Sequence, residues 1–257
     1  MIILLFCLVT FRLFSLEQLP FTNPYLVSSS NITTLTSDPS NAIINPASGE
    51  NGISTSSCYL FGMHNLNQYE LTSVVDYNNY GIVVGWQAMD SDGYSRQDYR
   101  LGIRYGFRSV KVAIGCRLSY DEITGYGSER DSDPYAGLRL NYLHTTLDVS
   151  ANNFLSANNS TDSRSMEYNI SIGQKIATNT IVAFSLTSSA NNKANFKAGC
   201  RFPVYDNLQT IVSWESEPGR FGFGSDFKVG WMHICYGLQT HNELDWTHSI
   251  GLSVLFP

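Results

Sequence analysis

Arg100, Arg104, Lys111, Arg117 and Arg139 are five cations close together in the chain, and their spacing decides what they can do. Residues 98–107 and 110–120 each alternate apolar with polar side chains, and Arg108-Ser109 lies between them. Two such runs joined by two residues read as a hairpin. Phe107 then pairs with Val110, every further pair of numbers sums to 217, and Arg100 falls directly opposite Arg117. Arg104 and Lys111 point to the same face, where Arg139 of the next run joins them. Like charges placed opposite one another destabilise a strand pair, so the site calls for an anion. The chain's own candidates are Asp98, Glu122, Glu129, Asp38 and Glu50, or Asp148 and Glu167 in a salt-bridge network across an interior. The other candidate is the head group of a bound anionic amphiphile, and both readings stay open at this point.

Other chemistry is sparse. His64, His144, His233, His241 and His248 do not have the spacing of a metal site. Cys58, Cys116, Cys200 and Cys235 fall in four separate runs, with Cys116 and Cys200 on the apolar face, and read as free thiols rather than a disulfide framework. His144 beside Thr145-Thr146 is the nearest approach to a hydrolase, but neither a Gly-x-Ser-x-Gly turn nor an acid partner accompanies it. No catalytic residue, metal or cofactor is expected, and the chain is not expected to be an enzyme.

The elements that must position the cations are strands. Of 257 residues 43% are hydrophobic and 13% aromatic, while only 15% are charged, against about 25% charged in a typical soluble domain. A net charge of -6 without any run of like charges excludes a nucleic-acid partner. Period-two alternation recurs near 54–61, 69–77, 80–88, 98–107, 110–120, 135–143, 145–152, 165–175, 180–188, 193–202, 208–216, 220–229, 231–239 and 246–256, fourteen runs in all. Connections alternate too. Residues 62–68, 89–97, 121–134 and 153–164 are long and polar, whereas Asn78-Asn79, Arg108-Ser109, His144 and residues 176–179 are short. Short turns at one end and long loops at the other are the habit of outer-membrane barrels. The apolar face carries Tyr77, Tyr80, Tyr99, Phe107, Tyr120, Tyr142, Tyr168 and Phe202 toward strand ends, as an interfacial girdle requires. The reading is all-β: a fourteen-stranded antiparallel transmembrane β-barrel over 54–257, closed by pairing of its first and last strands.

Ahead of the barrel, residues 1–15 read as a signal peptide, with an apolar core from Ile2 to Thr10. Residues 16–53 read as an N-terminal periplasmic or plug segment. Glycines at lumen-facing positions, among them Gly85, Gly102, Gly106, Gly115, Gly137, Gly173, Gly199, Gly222, Gly224 and Gly237, leave room for another stretch of chain inside.

That N-terminal segment contains Ser37-Asp38-Pro39-Ser40-Asn41-Ala42-Ile43-Ile44-Asn45-Pro46-Ala47. An Asp followed by small residues and then Asn45-Pro46-Ala47 resembles the long-chain fatty-acid transporter (FadL-like) superfamily of outer-membrane barrels, including its PorV/PorQ-like group. The resemblance implies fourteen strands, a plug bearing Asn45, Pro46 and Ala47 near the lumen wall, and a bacterial outer-membrane location. It implies binding or passage of hydrophobic or amphiphilic small molecules, with Arg100, Arg104, Lys111, Arg117 and Arg139 as the ligand-binding groups. The alternative is an accessory barrel of a secretion or surface-attachment machine with a sealed lumen. The partners expected are outer-membrane lipid, a hydrophobic ligand or envelope proteins, and no nucleic acid.

Overall fold

The computed structural model describes residues 23–63, 66–154, 166–189, 192–241 and 244–256. The expected signal peptide over 1–15, the start of the N-terminal segment over 16–22, and His64 lie outside the described residues. Fourteen antiparallel strands form a closed barrel in which each strand pairs with its neighbours in sequence and the first pairs with the last. They are β1 Gly52–Tyr59, β2 Asn67–Tyr77, β3 Tyr80–Ser91, β4 Tyr94–Phe107, β5 Val110–Ile123, β6 Gly127–Tyr142 and β7 Thr145–Asn152. The second half comprises β8 Glu167–Ala177, β9 Thr180–Ser189, β10 Asn192–Tyr205, β11 Leu208–Glu215, β12 Arg220–Val229, β13 Met232–Gln239 and β14 Thr247–Leu255. Closure satisfies the backbone of both end strands, which an open edge in lipid would leave unpaired.

At one end, the residue pairs 78–79, 108–109, 143–144, 178–179, 206–207 and 230–231 make tight turns. Asn78, Arg108, Leu143, Asn179 and Gly230 take the positive φ that such turns demand. The other end differs from the sequence reading in β3 to β6. Residues expected as loops over 89–97 and 121–134 continue as paired strand, leaving only 92–93 and 124–126 as connections. Asp, Ser and Glu there no longer alternate with apolar residues, because a strand that rises above the lipid has water on its outer face.

Burial alternates along the strands, and the apolar side points outward: Leu101, Ile103, Val112 (44% exposed), Ile114 and Ile172 all lie on the outer surface. Tyr77 (79%), Tyr80 (69%) and Tyr142 (73%) ring the turn end. No helix among the described residues is long and apolar enough to cross a membrane; the outward apolar belt is carried by strands.

The core lies inside the barrel and is built around the N-terminal segment. Helix α1, Pro24–Ser28, starts at Asn23, whose side chain caps it by accepting from the Tyr25 N–H at 2.9 Å. Pro24 sits at the first helical position, where its missing N–H costs nothing. Helix α2 is a single turn over Asn41–Ile44. Tyr25, Ile32 and Leu35 of the segment pack with Ala183, Ile211 and Cys235 of the wall, and Ala42 packs with Val74 and Val83. Seven of the ten lumen glycines, Gly85, Gly137, Gly173, Gly199, Gly222, Gly224 and Gly237, face this segment at distances a Cβ would fill. The other three do not: Gly102 and Gly115 lie under the Tyr135 ring, and Gly106 faces the Lys111 stem.

Candidate functional site

The β4–β5 hairpin has the register that the sequence implies, with Phe107 opposite Val110 and Arg100 opposite Arg117. Arg100, Arg104 and Arg117 are buried inside the barrel, and Arg139 is nearly so. Their anions come mainly from residues that the sequence reading did not single out. Arg117 pairs with Asp133, its direct cross-strand partner on β6. Arg104 pairs with Asp76 of β2, and Lys111 reaches the same carboxylate at 3.2 Å. Gly81 of β3 lies between Asp76 and Arg104 in the register, and the absence of a side chain there lets the ion pair pass over it. Arg139 binds Asp148 in a fork, at 2.8 Å from Nε and 2.9 Å from Nη2, which is the pairing named for a salt-bridge network. Asp98 accepts from Arg96 at 3.4 Å.

Only one of the missed carboxylates had a signal in the sequence. Asn78-Asn79 as a two-residue turn sets Asp76 opposite Gly81, one strand away from Arg104. Asp133 was hidden because its stretch was read as loop.

Arg100 differs from the other four. Its Nη1 donates to the carbonyl of Ile43, while Nε and Nη2 have no hydrogen-bond partner among the described residues. Beside it is a cavity of about 10 Å³ lined by Arg100, Arg117, Asp133, Pro134, Tyr135, Asn152 and Asn153, about enough for one water. The Tyr135 hydroxyl, also buried, has no hydrogen-bond partner among the described residues.

The same cations hold the N-terminal segment by its backbone. Arg104 donates to the carbonyls of Ser48 (2.9 Å) and Gly49 (3.0 Å), and Arg139 donates to that of Thr33 at 3.3 Å. Asp148 also accepts from Thr33 Oγ1 at 2.7 Å and Ser48 Oγ at 2.8 Å. Asn45 packs over Gly137 and donates to the Leu138 carbonyl at 3.2 Å, while its Oδ1 accepts from the Ala47 N–H at 3.0 Å. The Asn45-Pro46-Ala47 turn therefore lies against β6. Asp38 accepts from Ser253 and from the Ser40 N–H, and burial raises its carboxyl above the usual carboxylate range.

Cys58, Cys116, Cys200 and Cys235 are free thiols, with Cys116 exposed on the outer face. His144 lies in a tight turn. No group of three or more metal-ligating side chains comes together among the described residues.

No protein-family model matches the sequence, and no curated protein is significantly similar to it. Solved structures are similar in fold. A FadL homologue of Pseudomonas aeruginosa superposes with a TM-score of 0.63 at 9% identity, covering 91% of this chain and 98% of that one. The CymD monoaromatic hydrocarbon channel gives 0.69 at 11% identity, over 91% and 97% of the two chains. The toluene transporter TbuX of Ralstonia pickettii gives 0.66 at 9%, over 95% and 100%. The chain thus has the fold of FadL-like transport barrels.

Proposed function

We propose that this chain is a bacterial outer-membrane barrel that binds and passes hydrophobic or amphiphilic small molecules. In this reading residues 23–51 are the plug, and Arg100, Arg104, Lys111, Arg117 and Arg139 form the polar end of the binding site. The observation that carries it is the state of Arg100: a buried guanidinium spends one donor on a neutral carbonyl and has two more without a partner among the described residues. A charged acceptor forms roughly twice as strong a hydrogen bond as a neutral one, so an arriving anionic head group competes well with the Ile43 carbonyl. The neighbouring cavity of about 10 Å³ is too small for such a ligand, so binding requires α2 to shift. The hydrocarbon and toluene channels that share the fold support the apolar part of the ligand.

The test uses purified protein in lipid vesicles, with a long-chain alkyl carboxylate and the matching uncharged alcohol as probes. Wild type is expected to bind the carboxylate about tenfold more tightly, equivalent to about 1.4 kcal/mol, and to pass both. Arg100→Gln/Arg117→Gln should bind the two equally while the barrel stays folded. Equal binding by wild type would leave the arginines a structural role. Absence of binding and of flux would favour a sealed accessory barrel working through protein partners.

A further inference from the structure

The N-terminal segment touches two parts of the sheet that are remote in sequence. Its first half lies on the last strands: Ser213 donates to the Ser28 carbonyl at 2.7 Å, Gly222 and Gly224 cradle Ser28, and Gly237 and Gly251 cradle Pro24. Its second half lies on the earlier strands, through Arg100, Arg104, Asn45 and Asp148. The segment meets the seam where β1 joins β14 twice, at Asn23-Pro24 and again at Asp38-Pro39.

The seam is the strand pair that no hairpin connects. Two of its partners, Ser54 and Ser253, are directly opposite and hydrogen-bonded at 2.9 Å, yet 199 residues apart in the chain. Local hairpins form without a large loss of chain entropy, whereas pairing of distant ends is slow and is rewarded last. The seam strands are also short, at eight and nine residues, and rich in Ser, Thr and Gly, the kind of strand whose register is weakly specified.

The segment supplies what the strands lack. Asn23 Nδ2 donates to Ser54 Oγ at 2.8 Å, and Ser253 Oγ donates to Asp38 Oδ2. Pro39 Cγ sits 3.0 Å from where a Cβ of Gly52 would be, and Pro24 Cδ 2.9 Å from that of Gly251. One serine and one glycine on each seam strand thus meet one polar residue and one proline of the segment.

We propose that residues 23–51 are an internal template for closing the barrel, in which Asn23 and Asp38 bring Ser54 and Ser253 into register. This role is separate from any gating of passage, and its test does not involve transport. In a background with all native cysteines replaced by alanine, one full-length protein carries Thr55→Cys and Leu252→Cys, which are opposite across the seam. Another carries Trp214→Cys and Phe221→Cys, opposite within the β11–β12 hairpin. Each is refolded into lipid vesicles with a short bifunctional maleimide, with and without Asn23→Ala/Asp38→Ala. The seam cross-link should slow by about tenfold, the factor that one or two buried hydrogen bonds carry, while the hairpin cross-link keeps its rate. Unchanged seam cross-linking, or equal slowing of both pairs, would overturn the proposal. Should the double variant fail to insert, Asp38→Asn is scored by the same two pairs with the same criteria.

Discussion

Asp148 shows how a single side chain ties the wall to the segment, since its two oxygens take hydrogen bonds from Arg139, Thr33 and Ser48. Both members of the ion pair are at most one-tenth exposed. Removing one partner of a buried pair leaves an uncompensated charge, at a cost of about 3–5 kcal/mol. Asp148→Asn should therefore lower the denaturant midpoint sharply, and Asp148→Asn/Arg139→Gln should recover part of the loss; equal midpoints for the single variant and wild type would show that the pair contributes little. Gly137 allows a second prediction. A methyl there would collide with Asn45 Oδ1, whereas one at Gly106 would meet only the Lys111 stem at 3.4 Å. Gly137→Ala should cost about 1–3 kcal/mol by overpacking and Gly106→Ala much less, read from the same unfolding curves. At this scale the Arg100–Arg117 opposition was legible, because a two-residue turn fixes every pair beyond it. The carboxylate that answers Arg117 was not, because Asp133 lies among residues whose Ser and Asp content resembles a loop.

At the scale of elements, all fourteen strands were legible where lipid covers one face, since lipid forces the period of two. The tops of β4, β5 and β6 were not, because water on both sides removes that constraint. The segment was legible as lumen space, in glycines such as Gly137, Gly173 and Gly224 that leave room for it, and in the Asn45-Pro46-Ala47 stretch whose resemblance implied a plug. The rest of its path is not readable in its sequence, because it is set by hydrogen bonds to strands far along the chain. Its one buried carboxyl gives a prediction with a definite sign. Asp38 is buried, accepts from serines, and has no cation within salt-bridge distance among the described residues. Burial raises its pKa, with the hydrogen bonds of Ser253 and Ser40 opposing the rise. A carboxyl raised in the folded state binds its proton more tightly there than in the unfolded chain. The packed segment is therefore most stable below the ordinary carboxylate range and loses stability as pH rises through the raised value. Hydrogen exchange of the amides over 24–45 should speed up across that interval in wild type beyond the intrinsic pH effect, and Asp38→Asn should flatten the excess. An equal profile in both proteins would assign the pH response to another group.

For the whole molecule, the wall is uneven, and the unevenness fixes how the barrel sits in a membrane. β6 has sixteen residues and β7 eight. At about 3.3 Å per residue and a tilt of about 40°, these stand about 40 Å and about 20 Å tall against an apolar belt of about 25 Å. The tall side cannot be contained by lipid, so its upper third has water around it. There β6 runs through Gly127-Ser128-Glu129-Arg130-Asp131-Ser132-Asp133-Pro134, paired along its length with β5, whereas β7 joins it only from Tyr135 onward. The start of β1, the end of β14 and the tight turns are at the opposite rim, where Tyr77, Tyr80 and Tyr142 mark the lipid boundary. In outer-membrane barrels the short turns face the periplasm, so the tall rim should stand on the cell surface. The check is labelling of intact Gram-negative cells with a membrane-impermeant maleimide, in a background with the native cysteines replaced. Ser128→Cys should react on intact cells, and Ser109→Cys, in the β4–β5 turn, only after the outer membrane is permeabilised. The reverse pattern would invert the barrel, and labelling of neither site even after permeabilisation would place the chain outside the outer membrane.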